Sequence, residues 1–266
     1  MIADLASYLG GGAVAGLIAG LFGVGGGTIL VPVLLFIYST HSLPEEHHMH
    51  LAVGTSLAVI VLNALSSMRA HHKQGSVDWR VFWRLTPGVV VGALVGAWLA
   101  DRMASRTLVL IFAVFLILVA AQMLLGRQPR PGRTTPGAAG LGVTGGIIGT
   151  ISALVGIGGG SMTVPYLMWC NVAASRAVGT AAAVGLPIAL SGAAGFILAG
   201  WGNPQLPPWS LGYVYLPAFL GMAAAGMLCA PLGAKLANRM PARRLKQAFG
   251  VFVLLVAFKL LQGLIG

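Results

Sequence analysis

The sequence predicts an all-α integral membrane protein built from two homologous four-segment repeats, and three observations predict it. Of 266 residues, 57% are hydrophobic and only 8% are charged, with a mean hydropathy of +0.89; a water-soluble chain of this length needs a charged surface. Apolar runs near the roughly 20 residues needed to cross a bilayer recur throughout. Finally, the stretch GLIAGLFGVGGGTILVPVL (Gly16–Leu34) returns as GTISALVGIGGGSMTVPYL (Gly149–Leu167).

Laid over one another, these stretches match Gly16 with Gly149, Gly23 with Gly156 and Val24 with Ile157. Gly25, Gly26 and Gly27 match Gly158, Gly159 and Gly160, then Thr28 matches Ser161 and Pro32 matches Pro165. Each copy is a helix-length apolar run, a glycine break, a hydroxyl residue and a short apolar run with one proline. A glycine costs a helix about 1 kcal/mol relative to alanine, so the clustered glycines interrupt it. In hydrocarbon the opened backbone must be satisfied by protein, water or a ligand.

In chain order, the first repeat (1–126) opens on Leu5–Phe22. Its start lacks a basic leader region, so this run is expected to remain in place. After the break come Thr28–Tyr38 and a polar loop with His41, Glu45, Glu46, His47, His48 and His50. Leu51–Met68 leads to a basic loop with Arg69, Lys73, Arg80 and Arg84, where Trp79 and Trp83 read as interfacial anchors. Leu85–Ala100 and Leu108–Leu125 complete the half. Residues 127–137, rich in Pro, Gly and Arg, are the linker.

The second repeat (138–266) follows the same order: Ala138–Val155, break, Ser161–Trp169, Ala177–Ala199, Leu211–Ala237 and Leu245–Leu264. Ala52-Val53-Gly54-Thr55 matches Ala177-Val178-Gly179-Thr180, and Arg102-Met103 matches Arg239-Met240. This is an internal duplication.

Charge placement chooses between two topologies. If each broken element crosses fully as a discontinuous helix, the basic loops fall on both sides. If each is re-entrant, dipping in and returning, the loops after Met68, in the linker, at Arg176 and from Lys235 to Lys246 share one side. Only Arg102, Arg106 and Lys259 lie opposite, which the positive-inside rule favours. That arrangement gives three full crossings per half, so the repeats would be inverted.

A half-helix starting at a glycine break presents free N–H groups and the positive end of its dipole. Thr28 and Ser161 stand at the expected capping position, and Pro32 and Pro165 near the first turn. Bare glycines let an oxyanion approach backbone closely. In an inverted pair both starts would converge mid-membrane into a small anion site. The competing reading is close helix packing through small residues.

The doubled apolar–GxGGG–[T/S]–xxVP element, each copy followed by AVGT, resembles the TauE/SafE sulfite-exporter family of membrane permeases over essentially the whole chain. The resemblance implies transport of sulfite or small organosulfur anions such as sulfoacetate or sulfolactate. Carried onto this sequence, the substrate-binding candidates are Gly25, Gly26, Gly27, Thr28, Gly158, Gly159, Gly160 and Ser161. Thr55 and Thr180 join them, with Asn63, Ser66 and Ser191 as further polar lining. The partners are a small organosulfur anion, the bilayer and a second copy in a homodimer. The resemblance implies no enzyme, and the place is the cytoplasmic membrane.

The remaining signals are weighed against this reading. The net charge of +11 sits between apolar runs, so no nucleic acid is expected. Cys170 and Cys229 read as small buried hydrophobes, with sulfur chemistry at Cys170 as the alternative. The histidine loop would suit a divalent-metal exporter, but the second repeat lacks a counterpart and no metal site or cofactor is expected. Carboxylates are nearly missing from the apolar runs, so no strong cation-coupling site is evident. An anion leaving a cell that is negative inside gains about 2.3 kcal/mol per charge per 100 mV without one. A passive small-anion channel is the other class left open.

Overall fold

A computed structural model describes residues 2–22, 26–40, 45–125, 135–237 and 241–265. The first half holds α1 (Ile2–Phe22), α2 (Gly27–Thr40), α3 (His48–Lys73), α4 (Trp79–Asp101) and α5 (Ser105–Leu125). The second holds α6 (Ala138–Val155), α7 (Gly160–Trp169), α8 (Ala174–Ala199), α9 (Leu216–Ala237) and α10 (Ala242–Ile265). Among the described residues, eight helices are long and apolar enough to cross a membrane; α2 and α7 are the shorter ones. Their outward faces carry large apolar side chains, with Leu198 at 70% and Leu228 at 77% exposure, a surface suited to lipid rather than water. By length and composition α1 and α6 are among the eight, one more helix per half than the full crossings of the dipping arrangement.

Glycine spacing sets the helix pairs. Gly12, Gly16 and Gly20 of α1 lie against Met222, Gly226 and Ala230 of α9; a Cβ on Gly16 would stand 2.6 Å from the Gly226 Cα. Gly88, Gly92 and Gly96 of α4 meet Gly142, Gly146 and Thr150 of α6 in the same way. Residue numbers rise together in both pairs, so each pair is parallel. Side-chain-free contact of this kind lets backbones approach and Cα–H groups face carbonyls.

The central helices α3 and α8 run antiparallel, with Gly54 beside Phe196, Leu57 beside Gly192 and Ala64 beside Gly185. The half-helix α2 turns back along α1. Gly11 lies beside Val33 and Ile37, Gly26 lies near Ala19, and the Tyr8 and Tyr38 rings stand 6.4 Å apart edge-to-face.

Several expected boundaries move. The polar loop is shorter than expected: Glu45–His47 form a single 3-10 turn and His48 and His50 belong to α3. His50 is 3% exposed and its Nε2 lies 3.0 Å from the Ala100 carbonyl, so it is a packed residue rather than a solvated one. α4 begins well before Leu85 because Asp78 caps it, accepting from Arg80 and Val81 N–H at 3.1 and 3.2 Å. α9 begins at Leu216, not Leu211, because Ser210–Leu211 and Val214–Tyr215 pair as a small hairpin. Trp83 is exposed at 65%, as an interfacial anchor requires, whereas Trp79 packs edge-to-face on Phe82. Cys170 is buried, Cys229 is half-buried, and both are free thiols.

Candidate functional site

The two glycine breaks meet. A Cβ on Gly27 would lie 2.6 Å from the Gly156 carbonyl oxygen and 2.7 Å from the Ile157 Cα. Ile60, halfway along α3, borders both breaks, 3.0 Å from such an atom on either Gly27 or Gly158. From α8, Gly185 closes on the Gly158 carbonyl at 2.9 Å by the same measure. Ser56 secures the junction by donating to the Gly156 carbonyl at 3.0 Å.

Gly26 and Gly159 occupy equivalent positions and both are left-handed, φ +82° and +72°, a conformation that strains other residues. The Gly26 carbonyl accepts the N–H groups of Ile29 and Leu30 at 3.0 and 2.9 Å; that of Gly159 accepts Met162 and Thr163 at 3.1 and 2.8 Å. Left-handed glycines thus close the turn, so the hydroxyl residues do not cap as expected: Thr28 and Ser161 are the second residues of α2 and α7. Pro32 and Pro165 fall in the second turn rather than the first. Each therefore leaves the carbonyl of Thr28 or Ser161 without its helical donor.

The junction contains polar oxygens that the protein does not satisfy. Thr28, Ser152 and Thr163 are 1%, 3% and 0% exposed, and their hydroxyls, with that of Ser161, have no hydrogen-bond partner. A buried hydroxyl left so costs about 1–3 kcal/mol, and such groups are suited to bind a water, an ion or a ligand. Neither Ser152 nor Thr163 stands out in the sequence, since a hydroxyl within an apolar run ordinarily bonds its own helix.

The other expected site residues fall in different places. Asn63 joins the first break, its Nδ2 3.7 Å from where a Cβ on Gly26 would sit. Gly25 lies outside the described residues. Thr55 and Thr180 are fully buried at opposite ends of the molecule, each accepting a backbone N–H from the segment entering the other half's fourth helix. Tyr215 donates to Thr55 at 3.0 Å and Asp78 to Thr180 at 2.9 Å. Beside each threonine, a Cβ on Gly54 or Gly179 would meet the Tyr213 or Ser76 carbonyl at 2.5 Å. The repeated AVGT is thereby an interlock between the halves. Ser191 donates to the Pro187 carbonyl of its own helix at 2.5 Å, and Ser66 is exposed.

A cavity of about 1390 Å³ opens at the end of the molecule away from the Arg69–Arg84 region, between α1, α2, α5 and α10. Gly11, Pro32, Phe36, Arg106, Lys259 and Tyr213 line it, and it reaches Ile29 in the first turn of α2. Lys259 lies with its Nζ 5.1 Å from the Phe36 ring centroid, within cation–π reach. At the cavity edge the Tyr213 hydroxyl donates to Asp101 at 3.0 Å; burial, with the Asp101 carboxylate adding, pushes this phenol up to about 12. Arg176 sits 3.8 Å from Asp78 at the opposite end. His47 lies 3.1 Å from the Gln205 side chain, His41 is outside the described residues, and among these no group of three His, Cys, Asp or Glu could hold a metal.

Span-length helices around two touching backbone breaks, with helix starts facing inward, are the build of a multi-pass membrane transporter. The family described as Sulfite exporter TauE/SafE matches residues 8–260, and the chain belongs to that family. It is 36% identical over 250 residues to a probable membrane transporter protein of Haemophilus influenzae, covering 94% of this chain and 95% of that one. A probable membrane transporter protein of Methanocaldococcus jannaschii is 30% identical, over 88% of this chain and 87% of its own. No solved structure matches.

Proposed function

We propose that this transporter moves small oxyanions of sulfur, namely sulfite or small organosulfonates such as sulfoacetate and sulfolactate, outward across the cytoplasmic membrane. One observation carries the reading: the two glycine breaks, each opening an uncapped half-helix, meet halfway along α3, where Gly27 at the start of α2 lies against Gly156 and Ile157. Backbone donors and helix dipoles there favour an anion without a fixed cation.

In this reading the basic ends of α3, α4, α8 and α10 face the cytoplasm. Each half makes three full crossings beside a hairpin, α1–α2 or α6–α7, that dips to the middle and returns, so the halves are inverted. Cysteines introduced at Arg102 and Lys235, at the far ends of the equivalent helices α4 and α9, are expected to label from opposite sides of the membrane. Labelling from one side would rule the inversion out.

Outward movement follows from the membrane potential, worth about 2.3 kcal/mol per charge at 100 mV. Proteoliposomes loaded with sulfite are expected to show saturable, electrogenic efflux that sulfoacetate competes for. Efflux linear in concentration would identify a passive channel, and no efflux of any sulfur oxyanion would sink the substrate reading.

A further inference from the structure

We propose that the second glycine break alone holds the anion, at the start of α7 and among the hydroxyls of Ser152, Ser161 and Thr163. This assignment rests on the anion reading above and removes the symmetry that the duplicated sequence suggests. The first break, by contrast, is a packing joint.

Equivalent positions in the two copies make the comparison direct. Gly27 is closed in, with the Gly156 carbonyl and the Ile157 Cα where a Cβ would go; its counterpart Gly160 has nothing within 4 Å of that point. Where the first copy has Ala19 and Leu30, the second has Ser152 and Thr163. At Gly26 the neighbouring atoms are the Leu30 Cδ1 at 3.5 Å, the Asn63 Nδ2 and the Ala19 Cβ. At Gly159 the equivalent point falls on the Ile188 Cδ1, the far end of a flexible side chain, with the Ser152 Oγ 3.5 Å and the Ile148 Cγ2 3.7 Å away. The second break therefore carries three hydroxyls with no partner, that of Ser152 beside Gly159 and those of Ser161 and Thr163 in the first turn of α7, against that of Thr28 at the first.

The electrostatics choose an anion over a cation. The C-terminus of α6 satisfies its own carbonyls: left-handed Gly156 donates to Ala153 at 3.3 Å and Ile157 donates to Ser152 at 2.9 Å, the pairing of a Schellman closure. That removes much of the negative end from the site. The positive end of α7 keeps its donors. The N–H groups of Met162 and Thr163 close on Gly159, so those of Gly160 and Ser161 are left over. Two N–H groups, the Ser152 hydroxyl beside Gly159 and the Ser161 and Thr163 hydroxyls of the first turn are then the donors of a helix start that is open at Gly160. Such a donor set suits the tetrahedral or pyramidal head of a sulfur oxyanion.

The test uses the purified full chain, with sulfite and sulfoacetate as probes in calorimetric titration. Ser152→Ala combined with Thr163→Val places apolar side chains where the first copy already has them. This variant is expected to bind the anions about tenfold or more weakly. Without any anion its melting temperature is expected to rise, since two unsatisfied hydroxyls are gone. Thr28→Val is expected to have a smaller effect on binding than the double variant.

Equal weakening by Thr28→Val, or wild-type affinity in the double variant, would overturn the one-sided assignment. So would a lower melting temperature of the double variant without anion, because the hydroxyls would then be supporting the fold. If the unaltered protein binds neither probe nor sulfate, the anion reading fails, and this assignment with it.

Discussion

Gly92→Val is expected to abolish the monodisperse folded protein, although the substitution is conservative for an apolar helix and touches neither break. A Cβ there would fall on the Gly146 carbonyl, with the Gly146 Cα 2.9 Å away. Both obstacles are backbone, so no rotamer change in α6 relieves them. Thr150 also donates to the Gly92 carbonyl at 3.0 Å, tying the helices together where they would have to part. Overpacking a core costs about 1–3 kcal/mol and sometimes more; rigid obstacles on the partner helix put this case at the upper end. Gly142→Ala supplies the contrast, because nothing lies within 4 Å of the added methyl. Its melting temperature and size-exclusion profile are expected to match the unaltered protein. A Gly92→Val protein of normal profile and melting temperature would mean that α4 and α6 are not pressed together as described.

The same pairing shows what the sequence discloses and what it withholds. The duplication, the breaks and the span-length runs are visible because each is local: a glycine cluster or an apolar run needs no neighbour to be recognised. That Gly16 serves α9 and Gly149 serves α4 is not visible, since both partners are distant in the chain. AVGT is recognisable as a repeat, but nothing in it tells that Thr55 and Thr180 receive N–H groups from Tyr215 and Asp78. The two-residue strands at Ser210 and Val214 are too short to produce an alternating pattern. His50 lies in a histidine-rich stretch and reads as solvated, yet the Ala100 carbonyl and the Tyr213 ring enclose it. Hydroxyls within apolar runs are the hardest case. Ser191 and Ser152 look alike in sequence, but only Ser191 finds a carbonyl on its own helix.

Gly160→Val is expected to abolish transport while leaving the protein as stable as before. The position is helical, not left-handed, and open at the point where the side chain would start. Valine there costs no backbone strain, and replacing a helical glycine gains up to about 1 kcal/mol of propensity. The side chain would occupy the space in front of the Gly160 and Ser161 N–H groups and exclude an anion from them. Loss of those charge-assisted bonds corresponds to about tenfold or more in affinity. Efflux from proteoliposomes and melting temperature, measured on one preparation, check both halves of the expectation. Gly27→Val should behave differently, because its side chain meets the Gly156 carbonyl and the Ile157 Cα. Stability and transport should fall together there. Wild-type efflux by Gly160→Val would place the permeating anion elsewhere. Equal destabilisation by both variants would show that the second break is as tightly packed as the first.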